Sequence, residues 1–174
     1  MRRTRTLTIC ALFTALTAVC AQIQIPMQPV MLNLALLAVH LASALLTPSQ
    51  ASAAMLAYLL MGALGLPVFA GFRGGFGVLL DRTGGYIAGY VLSAWLAAWI
   101  IRRRGIAWTC AALSAGTLAC YTAGTAWFML LTSTPLWTSL TLCVIPFIPG
   151  DIMKILLAAL LARRLRAPLK HMIQ

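Results

Sequence analysis

From Thr6 to Phe72 the chain carries no Asp, Glu, Lys or Arg, and from Gly105 to Gly150 it again carries none. A water-soluble domain has charged residues at about a quarter of its positions, whereas here they make up 9% against 62% hydrophobic residues. A helix crosses a bilayer with roughly 20 mainly apolar residues. The uncharged stretches therefore read as membrane spans, and the charge clusters as their ends. The formal charge of +11 is no nucleic-acid footprint, because the basic residues are not spread along a face or interleaved with aromatics.

Breakers and charges divide the chain into six candidate helices near residues 6–23, 30–47, 50–65, 83–101, 106–131 and 146–163. Pro26 and Pro29 stop the first, since proline lacks the N–H a helix needs. TPSQ is a turn short enough to make the second and third helices antiparallel neighbours. Gly65 and Pro67 end the third, RRRG separates the fourth from the fifth, and TSTP separates the fifth from the sixth. The N-terminus MRRTRTLTICALFTALTAVCA imitates a signal peptide, but with spans continuing throughout it reads as an uncleaved first helix. The expectation is one all-α membrane domain over residues 1–174.

Lys and Arg favour the cytoplasmic side of a membrane. With the N-terminus inside, six spans place Arg2, Arg3, Arg5, Arg102, Arg103, Arg104, Arg163, Arg164, Arg166 and Lys170 inside. Only Arg73, Arg82 and Lys154 then remain on the outer half. Both termini are expected to be cytoplasmic, with a glycine-rich external loop between the third and fourth helices.

That orientation gathers the remaining charges on one external region. PFIPGDIMK opens the sixth helix with Asp151, one of two acidic residues in the chain, and Lys154, one of two lysines. Asp151 follows Pro149 and Gly150, where the chain can turn, and sits beside the free N–H groups of a starting helix. Lys154 at i+3 shares its face. One reading is a helix cap with a local ion pair. The other is a ligand site, because an ionisable residue within a span costs at least ~2.5 kcal/mol and marks function by default. An acceptor beside a donor suits a cyclic urea or amide, whose N–H groups meet the carboxylate and whose carbonyl meets the ammonium. A ligand carboxylate would call for arginine, and Arg73 and Arg82 are the candidates on that side; each reads equally as a solvated loop residue.

The segment GLPVFAGFRGGFGVLLDRTGGYIAGY holds eight glycines between Gly65 and Gly89. It is too apolar for an open linker, so it is expected to fold back as a lid or wall. Gly85 and Gly89 have the spacing that lets helices approach closely. In the fifth helix Tyr121, Gly124 and Phe128 fall at i, i+3 and i+7, which suits either helix packing or a slot with an aromatic wall. The five cysteines form no C-x-x-C pair and have no histidine at metal-ligand spacing, so they read as small apolar packing residues. No metal or cofactor is expected.

GLPVFAGFRGG, TGGYIAGY, YTAGTAW and PFIPGDIMK, in this order and spacing, resemble the BioY family, the biotin-specific substrate-capture subunits of energy-coupling factor transporters. The resemblance covers nearly the whole chain. It implies a six-helix subunit that takes biotin from outside the cell membrane and works with a transmembrane coupling subunit and two ATP-binding cassette ATPases. It assigns the polar biotin contacts on the last helix to Asp151 and Lys154, and matches Tyr121 and Trp127 to the aromatics of a Y-x-x-G-x-x-W element. Tyr86 of TGGYIAGY completes the candidate ligand contacts. Arg73 stands where family members commonly carry an amide, and Asp81 and Arg82 replace a Gly-Pro. Ala35 stands where glutamine is common, with Asn33 nearby.

The first helix carries Ala11-x-x-x-Ala15, with Ala18 one turn on, and small residues at this spacing allow close helix approach in lipid. The resemblance implies that Ala11 and Ala15 dock on the coupling subunit. His40, seven residues after Asn33, is expected on the same face of the second helix as a hydrogen-bonded packing residue. The chain has no G-x-x-x-x-G-K-[ST] phosphate loop, so energy must come from partners or a gradient. With no glutamate, two aspartates and two histidines it lacks the cluster an intramembrane enzyme needs. A small channel or exporter is the alternative function.

Overall fold

The computed structural model describes the backbone of residues 2–25, 32–101 and 105–173. Pro26, Pro29 and Arg102–Arg104, which carried expectations about helix ends and topology, lie outside the described residues. The helices are α1 (Arg2–Gln22), α2 (Ala35–Leu45), α3 (Pro48–Ala63), α4 (Phe76–Leu80), α5 (Gly84–Ile100), α6 (Ile106–Thr132), α7 (Leu136–Cys143) and α8 (Ile148–Ile173). A two-residue antiparallel ladder, β1 (Gln24–Ile25) with β2 (Leu32–Asn33), pairs Gln24 with Asn33. The fold is otherwise all-α among the described residues, and its six longest helices fall on the six apolar segments.

The bundle has an apolar core and, unlike a soluble protein, an apolar outer surface as well. On α1, Thr14 and Thr17 are buried while Leu12 and Val19 are more than 60% exposed; Leu130 on α6 and Trp137 on α7 are more exposed still. An outer surface of this kind is stable against hydrocarbon and not against water. Buried hydroxyls then act between helices, as where Thr14 donates to Ala54 O at 2.9 Å and ties α1 to α3. Three helical runs, Thr4–Gln22, Ile106–Thr132 and Leu136–Arg166, are long and apolar enough to cross a membrane, and α2 and α5 are shorter apolar helices.

Local chemistry sets the ends. Pro48 begins α3 behind a capping box, in which Gln50 N donates to Thr47 Oγ1 and Thr47 N donates to Gln50 Oε1. The last turn of α2 is closed from elsewhere in the chain: the Arg166 guanidinium donates to Ala44 O at 3.2 Å. The α5–α6 pair is the most intimate contact of the bundle. A Cβ on Gly85 would lie 2.3 Å from Trp127 Cβ, so the close approach expected of the glycine spacing is realised there.

Three features differ from the sequence reading. The second helix begins at Ala35 rather than near residue 30, because Asn33 pairs in the ladder and its side chain accepts from Ala35 N at 3.0 Å. Asn33 therefore precedes the helix instead of sharing a face with His40. The glycine-rich loop contains α4. The turn after the fifth long helix, α6, is longer than TSTP: Ser133 takes a left-handed conformation (φ 53°), and α7 and a 3-10 turn at Ile145–Phe147 intervene before α8.

Candidate functional site

Asp151 lies in the first turn of α8, where unpaired helix N–H groups and the helix dipole favour a carboxylate. Lys154 Nζ donates to Asp151 Oδ1 at 2.7 Å, and both residues are buried, at 4% and 7% exposure. Tyr121 of α6 donates its hydroxyl to Asp151 Oδ2. The three groups form the polar end of a small cavity whose free volume is about 50 Å³. Its other walls are Asn33, Leu36, Tyr86, Tyr90, Cys120, Cys143 and Phe147. The cavity is thus assembled from the ladder, α2, α5, α6, α7 and α8, with one charged pair in an otherwise apolar and aromatic shell.

A buried ion pair is weak evidence for stability, since desolvation offsets most of the Coulomb gain. Its persistence in a chain with only two acids argues for use. Chemically the site offers a fixed carboxylate acceptor and an ammonium donor three residues apart, walled by phenol rings.

Tyr86 is held by its surroundings. Its ring lies where a Cβ on Gly124 would come within 2.2 Å of it. Its hydroxyl lies 3.3 Å from Thr125 Oγ1, and Cys120 Sγ donates to its backbone oxygen at 3.5 Å. The slot on the Tyr121–Gly124–Phe128 face of α6 is therefore filled by Tyr86 rather than left open, and Phe128 is buried in the core.

The structure brings Asp151, Lys154, Tyr121 and Tyr86 to one cavity and leaves Trp127, Arg73 and Arg82 off its lining. Trp127 Nε1 donates to Asp81 O at 3.0 Å and so fastens the glycine-rich loop to α6. Arg73 pairs with Asp81 at 3.3 Å on a surface where both side chains are over a third exposed. Arg82 is exposed, with its backbone N–H on Asp81 Oδ1. The loop folds back onto α1 and α3, but none of residues 65–83 lines the cavity, so the lid or wall expected of it is not formed there. Phe69 is buried edge-on against Tyr58, whose hydroxyl donates to Val68 O. Gln22 clasps the same hairpin, donating to Phe69 O and accepting from Phe72 N.

Tyr90, Cys120 and Cys143 are cavity walls that the sequence reading missed. Tyr90 lies one turn after Tyr86 within TGGYIAGY, and that i, i+4 spacing was the available signal. The two cysteines looked like packing residues, and nothing in their spacing separates a wall from a core position. His40 is fully buried, with Nε2 3.3 Å from Thr117 Oγ1 and Nδ1 without a hydrogen bond among the described residues. Ala11 and Ala15 are exposed on α1. They line an apolar groove with Ser49, Ala53 and Ala57 of α3.

The profile of the BioY family matches residues 1–171. The chain is 36% identical over 157 residues to a biotin transporter BioY of Thermotoga maritima, covering 89% of this chain and 92% of that protein. It is 36% identical over 164 residues to a probable biotin transporter BioY of Pyrococcus horikoshii, covering 94% and 98%. Among solved structures, the S-component for biotin from an ECF-type ABC transporter superposes with a TM-score of 0.86 at 27% identity, covering 95% of this chain and 92% of that one.

Proposed function

The chain belongs to the BioY family, and from that premise we propose that Asp151 and Lys154 are the groups by which it reads the ureido ring of biotin. It is a multi-pass membrane protein and the substrate-binding subunit for biotin uptake, a transporter component and not an enzyme. The observation that carries the site assignment is the buried pair itself, placed at the end of a cavity lined by three tyrosines. Ring N–H groups would bond to the Asp151 carboxylate and the ring carbonyl would accept from Lys154, while Tyr86 and Tyr90 wall the bicyclic ring and Tyr121 stands beside the carboxylate. A carboxylate tail would meet Arg73 only by competing with Asp81, and Arg82 lies in solvent reach beside it.

The chain works, on this reading, as one membrane domain crossing the cell membrane six times with both termini cytoplasmic. This puts the start of α8 and the glycine-rich loop on the outside, where biotin arrives. Arg5 near one terminus and Arg163, Arg164 and Arg166 near the other support that orientation. Having no phosphate loop of its own, the chain would draw energy from a transmembrane coupling subunit and two ATPases. Ala11 and Ala15, exposed beside small residues of α3, would admit a partner helix closely.

Calorimetric titration of the purified protein with biotin and with its desulfurised precursor tests the site. Biotin should bind tightly to wild type, and Asp151→Asn or Lys154→Ala should weaken it at least about 100-fold, since each leaves a buried charge unpaired. Unaltered affinity in both variants would overturn the assignment.

A further inference from the structure

Both oxygens of Asp151 are engaged by side chains of the chain itself: Lys154 holds Oδ1 and the Tyr121 hydroxyl holds Oδ2. The carboxylate is 4% exposed, and the cavity before it has only about 50 Å³ of free volume. That space suits a water or two. Pockets that enclose drug-sized ligands run to roughly 300–1,000 Å³. Enclosing a bicyclic ring at the carboxylate therefore calls for a wall to move. Tyr86 is not that wall, since its ring is clamped over Gly124 and its hydroxyl lies on Thr125. Tyr90 is buried in the core. Tyr121 is half-buried, and its hydroxyl bonds only to Asp151 among the described residues.

We propose that Tyr121 is an internal stand-in for the ligand, its hydroxyl holding Asp151 Oδ2 and giving way to a ring N–H as its side chain swings aside on loading. The inference rests on the biotin-site reading above. It gives Tyr121 two effects. The O–H keeps a buried carboxylate oxygen satisfied until a ligand donor replaces it, so Oδ2 is never left buried without a partner. The exchange also selects ligands that bring a donor, because a ring without N–H would displace the hydroxyl and return nothing to Oδ2.

The test is Tyr121→Phe in the full-length protein, with biotin binding followed by calorimetry and by stopped-flow fluorescence. Losing the competing hydroxyl should tighten binding about three- to tenfold, the scale of one hydrogen bond, through faster association with dissociation near the wild-type rate. Tyr121→Leu should show the same gain in association rate. In an Asp151→Asn background the gain from Tyr121→Phe should vanish. Unchanged or weaker binding by Tyr121→Phe, or a gain confined to dissociation, overturns the inference and makes Tyr121 an ordinary wall or ligand contact. Wild type that fails to bind biotin at all defeats the functional reading instead, so the two failures are distinguishable.

Discussion

The chain's two acidic residues each form an ion pair, and the two pairs differ in almost everything except chemistry. Asp151–Lys154 is buried within one turn of a helix, with N···O 2.7 Å and a tyrosine on the second oxygen. Asp81–Arg73 spans eight residues of a loop at 3.3 Å, with side chains 46% and 37% exposed. The first pair is poorly screened, and each of its charges depends on the other. The second shares its charge with solvent, where such pairs contribute about 0–1 kcal/mol. What the contrast teaches is that position, not charge, sets an ion pair's role: the same two charge types make a buried pair at the end of a cavity, the proposed recognition element, in one place and a loop fastener in the other.

A double-mutant cycle across each pair measures the contrast directly. Asp151→Asn and Lys154→Ala should each destabilise the protein by about 3–5 kcal/mol, with strong coupling between them. The corresponding Asp81→Asn and Arg73→Ala cycle should show coupling below about 1 kcal/mol. Thermal unfolding in detergent reads both, and equal coupling energies would erase the distinction.

The next largest effect should come from Gly124→Leu. Its side chain needs the space of the Tyr86 ring, so overpacking should cost about 1–3 kcal/mol and biotin affinity should fall with it; retention of full affinity would show that Tyr86 does not wall the ligand. Trp127→Phe keeps the ring near Gly85 but removes the donor to Asp81 O. The expected cost is about 1 kcal/mol, read as faster amide exchange in residues 76–83, with biotin affinity changed less than about threefold. Smallest should be Arg73→Ala and Arg82→Ala, each changing biotin affinity by less than about threefold because neither lines the cavity. A larger loss at Arg73, growing at low salt, would place its guanidinium on the ligand tail and break the comparison from the other side.

Much of the proposed site was legible before the fold. Asp151 and Lys154 stood out because charge inside a span is costly and therefore rare, so two opposite charges at i, i+3 were conspicuous. The six long helices were legible for a related reason: hydrocarbon demands internally bonded backbone, and long uncharged runs have few other structures open to them. The short helices α4 and α7 were not, because five and eight residues leave too little periodicity to read.

Sequence alone determined that the chain belongs in a bilayer, which apolar runs form its helices, and that Asp151 and Lys154 meet on one helical face, since all three follow from local composition and spacing. Tertiary structure decided which partners those groups have. Only the packing of α6 against α8 puts Tyr121 on Asp151, only the close approach at Gly124 fills the aromatic slot with Tyr86, and only the folded loop turns Trp127 and Arg73 toward Asp81. Those contacts join residues 30 or more positions apart in most cases, and such distances carry no local periodicity for a sequence to display.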